Sequence, residues 1–151
     1  MAVFEKRSRI AAPPEVVFAF HARPDALALL MPPGERARVL EREGGLGVGA
    51  RTVIEMRVGP VPWRMVYEHT AYEEGRMFRD EMQKGPFARW VHTHRVEPDG
   101  DGGAWLSDHV DYALPLGGLG ALVAGGMVRR RIARIFEHRH EVTRRVCEGR
   151  P

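Results

Sequence analysis

The chain has 151 residues, of which 44% are hydrophobic, 8% aromatic and 28% charged. This length fits a single domain over residues 1–151, and the composition excludes a disordered chain, a collagen-like chain and a disulfide scaffold. The formal net charge is +3 at pH 7, and the single Cys147 has no second cysteine for a bridge or a cysteine zinc site. The N-terminal segment alternates apolar and charged residues and lacks the apolar stretch of a signal peptide, so we expect a soluble, cytoplasmic protein.

The chain opens with an alternating segment, Val3–Ile10, that predicts a β-strand and ends at a run of alanines and prolines. Proline fits the first turn of a helix, because its missing N–H would have no partner there in any case. We therefore predict a first helix from this run to about Ala22 and a second over Asp25–Met31, which the following Pro-Pro-Gly closes. Helices this short need a sheet to pack against.

Residues 36–114 have the pattern of successive strands separated by turns that contain glycine or proline. The predicted strands are Arg36–Glu43, Arg51–Val58, Trp63–Glu73, Arg76–Lys84, Arg89–Glu97 and Ala104–Leu114. Strands that follow one another through tight turns make an antiparallel meander, and no helices alternate with them as a parallel sheet requires. The glycine-rich stretch 44–49 lies between two strands, so we interpret it as a hairpin turn and not as a phosphate-binding loop.

After Pro115 the sequence predicts a long helix, because apolar residues recur at three- to four-residue steps from Val128 to Val146. The opposite face is basic, since residues 129–150 hold eight arginines against three glutamates. The expected fold is α+β: a curved seven-stranded antiparallel sheet wrapped around the long C-terminal helix, with two short helices after the first strand. A helix that does not fill the concave face of such a sheet leaves a cavity.

Strand alternation predicts which side chains face this cavity. In each of the last three strands we take the more apolar face as the inner one, whereas in Trp63–Glu73 the alternation leaves both faces open. The inner side chains are then Phe78, Asp80, Trp90, His92, His94, Asp108 and Tyr112. A mainly apolar cavity with a few convergent polar groups is typical of a small-molecule site. The alternative is that the polar residues only satisfy one another.

The segment after Pro115 contains Gly125 and Gly126, whose backbone freedom suits a moving element. We expect this segment to gate the cavity, with Leu122, Val123 and Met127 lining it. The alternative is that the two glycines only allow close packing of the helix on the sheet.

Two histidine pairs invite a metal interpretation. His92 and His94 share a strand face with which Asp108 could complete a site, but two histidines at this spacing are a weak signal. We therefore expect no metal and no cofactor. His138 and His140 lie two residues apart on the predicted helix and cannot face the same way, and we expect both at the surface.

Several segments together resemble one protein superfamily. They are Phe78-x-Asp80, Gly85-Pro86-Phe87, Trp90-x-His92-x-His94, Asp108-x-Val110-x-Tyr112-x-Leu114-Pro115-Leu116-Gly117 and, near the start, Ala11-x-Pro13-x-Glu15-x-Val17-Phe18. Over essentially its whole length the chain resembles the START-like superfamily (SRPBCC, Bet v 1-like), above all its small bacterial polyketide cyclase/dehydrase-type ligand-binding proteins. The resemblance implies a helix-grip fold with a deep hydrophobic cavity. It does not choose a function, because members bind lipids, hormones, quinones or polyketides and some are catalytic.

Three functions remain open. The first is binding or transport of a hydrophobic small molecule, such as a lipid, an isoprenoid or a polyketide-like compound. The second is a cyclase/dehydrase-type enzyme in which Asp108 or Asp80 acts with His92 or His94 as acid and base on a ketone, since an apolar pocket raises a carboxyl pKa. The third is an interaction module of the quinone-chaperone or ribosome-associated type, whose arginine-rich helix contacts a membrane surface. We do not expect nucleic acid as a partner, and the sequence predicts no oligomeric state.

Overall fold

Strands and helices follow one another in the predicted order in the computed structural model, which describes residues 1–150. Over these residues the elements are β1 Ala2–Ile10, α1 Pro14–Ala22, α2 Ala26–Leu29, β2 Ala37–Glu43, β3 Arg51–Val58, β4 Val61–Glu73, β5 Met77–Lys84, β6 Arg89–Pro98, β7 Ala104–Ala113 and α3 Gly117–Cys147. Each predicted strand bound lies within two residues of the observed one.

The strands of residues 1–150 form one seven-stranded antiparallel sheet in the order β1-β7-β6-β5-β4-β3-β2. Strands β2 to β7 are joined to their neighbours by short turns, and β1 pairs with β7. Glycine supplies a positive φ in most of these turns, for example Gly59 (62°) between β3 and β4 and Gly75 (72°) between β4 and β5. Together with the long helix α3, this meander confirms the predicted α+β, helix-grip fold.

Helix α3 packs on the sheet through side chains spaced three or four residues apart. Ile132, Phe136, His140 and Thr143 are all buried on this face. The ring of Phe136 contacts the ring of Phe4 in β1, with centroids 5.5 Å apart. Burial of an apolar side chain of this size contributes about 1.5–3 kcal/mol to stability. The stripe therefore fixes which face of α3 looks into the concave side of the sheet.

Helices α1 and α2 complete the enclosure. Helix α1 begins at Pro14, as the missing N–H predicts, and buries Val17 and Phe20. Phe20 packs with Leu30, which follows α2, and with Val142 of α3. The short helices are thus held between the long helix and the sheet.

The first turns of α3 extend beyond the core. Leu122, Val123 and Met127 are 84%, 80% and 71% exposed, so the prediction that they line the cavity is wrong. The reason is the position of the helix start: Gly117 begins α3 about 22 Å along the axis before Ile132, its first buried residue. The apolar residues of this segment predicted a buried helix face, but they do not indicate how far the sheet extends under the helix.

Gly125 and Gly126 lie in this exposed part of α3. A β-carbon placed on either residue would meet open space, so the alternative interpretation, close packing on the sheet, is wrong as well. The gating role of the segment stays a prediction. Among the helices described for residues 1–150, none combines the length and the apolar character needed to cross a bilayer.

Candidate functional site

A cavity of about 120 Å³ lies between the concave face of the sheet and the three helices of residues 1–150. Its lining includes six of the seven side chains predicted to face inward, namely Phe78, Asp80, Trp90, His92, His94 and Asp108. Tyr112 is buried but is not part of the lining, because it packs instead with Phe4 and Phe136 in an apolar cluster. The structure therefore does not bring Tyr112 to the cavity. The binding roles of the other six stay predictions.

Strand register brings the polar residues of the lining together. Asp80 of β5 lies opposite His92 of β6, and His94 of β6 lies opposite Asp108 of β7. Because alternate residues of a strand share a face, all four side chains project to the same side of the sheet. With His140 of α3 they form what we call the Asp108 cluster.

His92 is held between two carboxylates. Its Nδ1 lies 3.0 Å from Oδ2 of Asp80, and its Nε2 lies 2.6 Å from Oδ1 of Asp108. A carboxylate only accepts hydrogen bonds, so both ring nitrogens donate at once only when the imidazole carries two protons. Burial lowers the pKa of His92, but Asp80 and Asp108 raise it more, to about 9. His92 is therefore a buried cation at neutral pH.

Asp108 is the centre of the cluster. Its Oδ1 also accepts a hydrogen bond from Nδ1 of His94 at 2.9 Å, and its Oδ2 accepts one from Nε2 of His140 at 2.7 Å. Burial raises the pKa of this carboxyl group, but contacts with His94, His140 and His92 lower it more, so the pKa lies well below its usual range. The raised pKa expected from the sequence is therefore wrong for Asp108, because three imidazoles outweigh the cost of desolvation.

His140 brings helix α3 into the cluster, and the expectation that it lies at the surface is wrong, since its exposure is 1%. Its Nδ1 lies 2.8 Å from the hydroxyl oxygen of Ser8 in β1. A sequence signal was present, because His140 follows Ile132 and Phe136 at four-residue steps and so falls on the buried stripe. His138, two residues earlier, is partly exposed.

His94 differs from His92 because one of its nitrogens is free. Nδ1 bonds to Asp108, whereas the buried Nε2 has no hydrogen-bond partner within residues 1–150. The ring centroid lies 4.6 Å from that of Phe78 and 4.2 Å from that of His21. Burial lowers the pKa of His94, against the opposing effect of Asp108. At neutral pH His94 is therefore uncharged, and its Nε2 is an acceptor without a donor.

Another part of the cavity wall comes from β4, where the sequence left both faces open. Tyr67 and His69 of this strand line the cavity. Register shifts after Val66 and between His69 and Ala71 interrupt the alternation, which explains why neither face could be chosen. Nδ1 of His69 lies 2.8 Å from the carbonyl oxygen of Leu46, in the predicted glycine-rich turn between β2 and β3.

The residues that could hold a metal ion are His92, His94 and Asp108, whose potential ligand atoms lie within 4.8 Å of one another. Both nitrogens of His92 are already hydrogen-bonded to carboxylates, and Asp108 already accepts three hydrogen bonds. A metal ion would have to displace protons from these bonds. The expectation of no metal and no cofactor stays a prediction.

The arginine-rich part of α3 is partly neutralised by ion pairs. Arg131 and Arg134 both contact Glu35, and Arg144 pairs with Glu141. Burial raises the pKa of Glu35, but the two arginines lower it more, so its net shift is downward. Contact of this helix with a membrane surface stays a prediction.

The fold is shared with several solved structures. CV1439 from Chromobacterium violaceum has a TM-score of 0.73 and 18% identity, over 97% of this chain and 96% of that one. Norcoclaurine synthase from Thalictrum flavum, in complex with dopamine and hydroxybenzaldehyde, has a TM-score of 0.70 and 16% identity, over 99% and 88%. Ara h 8.0201 has a TM-score of 0.63 and 16% identity, over 94% and 97%. At such identities these likenesses show a Bet v 1-like fold alone.

Membership of a family comes from the sequence as a whole. No curated protein sequence matches the chain. A family model described as "Polyketide cyclase / dehydrase and lipid transport" matches residues 1–148 and so includes every strand and helix that surrounds the cavity. With its helix-grip fold, the chain therefore belongs to this polyketide cyclase/dehydrase and lipid transport family, within the START-like (SRPBCC) proteins.

Proposed function

We propose that the protein binds a small, mainly apolar molecule in the cavity, with a polar group of that molecule directed at the Asp108 cluster. The observation that carries this proposal is that the cavity lining is apolar on most of its surface and polar at one cluster of side chains. Side chains such as Leu30, Ile54 and Leu106 supply apolar surface, and the cluster supplies a few convergent polar groups. A buried network of charged groups is weak evidence for stability alone, so a role toward a ligand explains it better. Membership of a ligand-binding family supports the same conclusion.

The volume of the cavity indicates the size of the bound group. About 120 Å³ is comparable with the roughly 150 Å³ of an engineered apolar cavity that takes up benzene. A single ring or a short branched chain fits such a space. A lipid, an isoprenoid or a polyketide would have to extend past Leu27 and Arg42, which line the cavity and are partly exposed. We therefore propose that a ring-sized part of the ligand lies beside the Asp108 cluster.

Enlarging a cavity residue tests this proposal. Ala26 of α2 is buried and lines the cavity, so leucine at this position would fill a large share of the space. Ala28 on the same helix is exposed, and Ala28→Leu is the matched control. The test is an NMR titration with benzene, toluene, cyclohexanone and benzoate. We expect saturable binding by the wild type and by Ala28→Leu. Ala26→Leu should bind each compound at least about tenfold more weakly. If the wild type binds none of these compounds, or Ala26→Leu binds them equally well, the cavity is not the site.

A second candidate function, a cyclase/dehydrase-type enzyme, is favoured by the arrangement of His94. Its Nδ1 is hydrogen-bonded to Asp108, and its Nε2 has no partner within residues 1–150, which is the arrangement expected of a positioned general base. The geometry favours His94 over His92 and Asp108, because both nitrogens of His92 and both oxygens of Asp108 already have partners. Asp80, whose Oδ2 is bonded to His92, stays a candidate. In this function, Nε2 would take the proton from a carbon next to the ligand's carbonyl group and return it to the rearranged product.

A further inference from the structure

Tyr67 and Arg139 both line the cavity and carry hydrogen-bond donors that have no oxygen acceptor among residues 1–150. The first is the hydroxyl group of Tyr67, whose partner is the thioether Sδ of Met65 at 3.6 Å, a weak acceptor. Burial raises the pKa of Tyr67, Asp80 adds to the increase, and Arg139 partly opposes it. The hydroxyl group therefore keeps its proton at physiological pH and can donate to a bound molecule.

The second donor is the guanidinium group of Arg139 in α3, which lines the same cavity. Its Nε is buried without a partner, and within residues 1–150 no carboxylate forms an ion pair with it. The guanidinium carbon lies 5.1 Å from the ring centroid of Phe136, a cation–π contact that favours the charge at this position. Arg139 is partly exposed as a residue, but its Nε is buried, and buried charged groups are almost always paired, so a ligand could supply the counter-ion that residues 1–150 do not.

The cavity lining carries more positive than negative charge. Arg42, Arg139 and the cationic His92 face two carboxylates, Asp80 and Asp108. A ligand with one negative charge would balance this formal excess. The ligand's negative charge and the cationic side chains of the lining would also compensate each other for the loss of water on binding.

Arg42 has a separate role. Its guanidinium group donates hydrogen bonds to backbone carbonyl oxygens at the C-terminal end of α1 and just beyond it. It therefore caps a helix end in the way that arginine side chains commonly do. This leaves Arg139 as the cation available to a ligand.

We propose that Tyr67 and Arg139 form the subsite for an anionic oxygen group, and that the ligand is a small aromatic or alicyclic carboxylic acid. A guanidinium group and a phenol hydroxyl together offer the donors that a carboxylate accepts, and a charge-assisted hydrogen bond is the stronger kind. The ring of such an acid fits the remaining volume of the cavity. This inference rests on the proposed function, because it names the class of ligand for the same cavity.

The test compares benzoate with benzamide, which has nearly the same shape but no charge, in NMR titrations. We expect the wild type to bind benzoate about tenfold more tightly than benzamide. Arg139→Gln should weaken benzoate binding about ten- to hundredfold and change benzamide binding little. Arg139→Lys should recover part of the loss, since it keeps the charge without the planar fork. Tyr67→Phe should weaken both compounds, because each offers an oxygen acceptor to the hydroxyl group.

Arg130→Gln is the matched control, because it removes the same charge from an exposed position on α3 and should leave both affinities unchanged. Equal binding of benzoate and benzamide by the wild type, or a benzoate preference that survives in Arg139→Gln, would overturn this inference while the proposed function stands. Failure of the wild type to bind either compound, together with benzene and toluene, would overturn the proposed function and this inference with it. If Arg139→Gln does not fold, Arg139→Met, which keeps a long side chain without the charge, provides the same comparison of benzoate with benzamide.

Discussion

Replacing Asp108 with asparagine should lower the free energy of unfolding by about 3–5 kcal/mol. The carboxylate accepts hydrogen bonds from His92, His94 and His140, and it is 4% exposed. An amide has one oxygen acceptor instead of two and no charge, so the His92 cation loses a counter-ion inside the protein. Since small domains are stable by only about 5–15 kcal/mol, the variant should show a clearly lower urea midpoint at pH 7.

The matched control is Asp111→Asn on the same strand. Asp111 is partly exposed, and its Oδ2 lies 3.7 Å from Nη2 of Arg89 on the neighbouring strand. Removing this charge should therefore lower the free energy of unfolding by about 1 kcal/mol or less. If Asp108→Asn proves no less stable than Asp111→Asn, Asp108 is not the centre of a charged network.

Stability should be greatest near pH 6.5–7 and fall on both sides, with different groups responsible for each side. On the alkaline side the group is His92, whose pKa is about 9 in the folded protein and about 6.5 in an unfolded chain. Its contribution is fully present below pH 6.5 and is lost as the pH rises from there to about 9, by at most about 1.4 kcal/mol per pH unit.

On the acid side the groups are His94, His21 and Asp108. Burial lowers the pKa of His94 and His21 in the folded protein. Below about pH 6.5 these histidines therefore bind protons in the unfolded chain but not in the folded protein, which lowers the free energy of unfolding. Asp108, with its lowered pKa, contributes stability above the usual carboxyl pKa and loses it as the pH falls further. All three effects reduce stability as the solution becomes more acidic.

Urea unfolding between pH 5 and pH 9 measures this profile, and His92→Gln isolates its alkaline side. This variant should be less stable than the wild type at pH 6.5, but its stability should change little between pH 7 and pH 9. A wild-type stability that is constant over this alkaline range would contradict the assignment of His92 as a buried cation.

The fold could be predicted from the sequence because its signals are local. Turns at Gly59 and Gly75 end strands whose alternation shows which face is apolar, and proline begins the first helix. In strand β4 the same reasoning could not choose a face, because the register shifts beside Tyr67 and His69 depend on pairing with β5. Local patterns therefore give the strands and their order, whereas irregular pairing appears only in the assembled sheet.

The candidate site could be predicted only in part, for a related reason. Asp80, His92, His94 and Asp108 follow from alternation on neighbouring strands. His140 and Arg139 come from α3, and their positions depend on how this helix is rotated and how far it is shifted along the sheet. The apolar periodicity of α3 indicates roughly how the helix is rotated about its axis, but it does not indicate the position of the helix along the sheet. This is also why Leu122, predicted to line the cavity, lies exposed beyond it.

The most direct test of the cavity as a ligand site is long-range ¹H–¹⁵N NMR of the imidazole groups in ¹⁵N-histidine-labelled protein, titrated with cyclohexanone in D₂O. We predict a saturable shift of the Nε2 signal of His94, a nitrogen with no hydrogen-bond partner within residues 1–150, and no shift for the exposed His109. Loss of the ketone's α-proton signals with the wild type but not with His94→Gln would add catalysis to binding. Binding of cyclohexanone that leaves the signals of His92, His94 and His140 unchanged would contradict the proposal that the ligand lies against the Asp108 cluster.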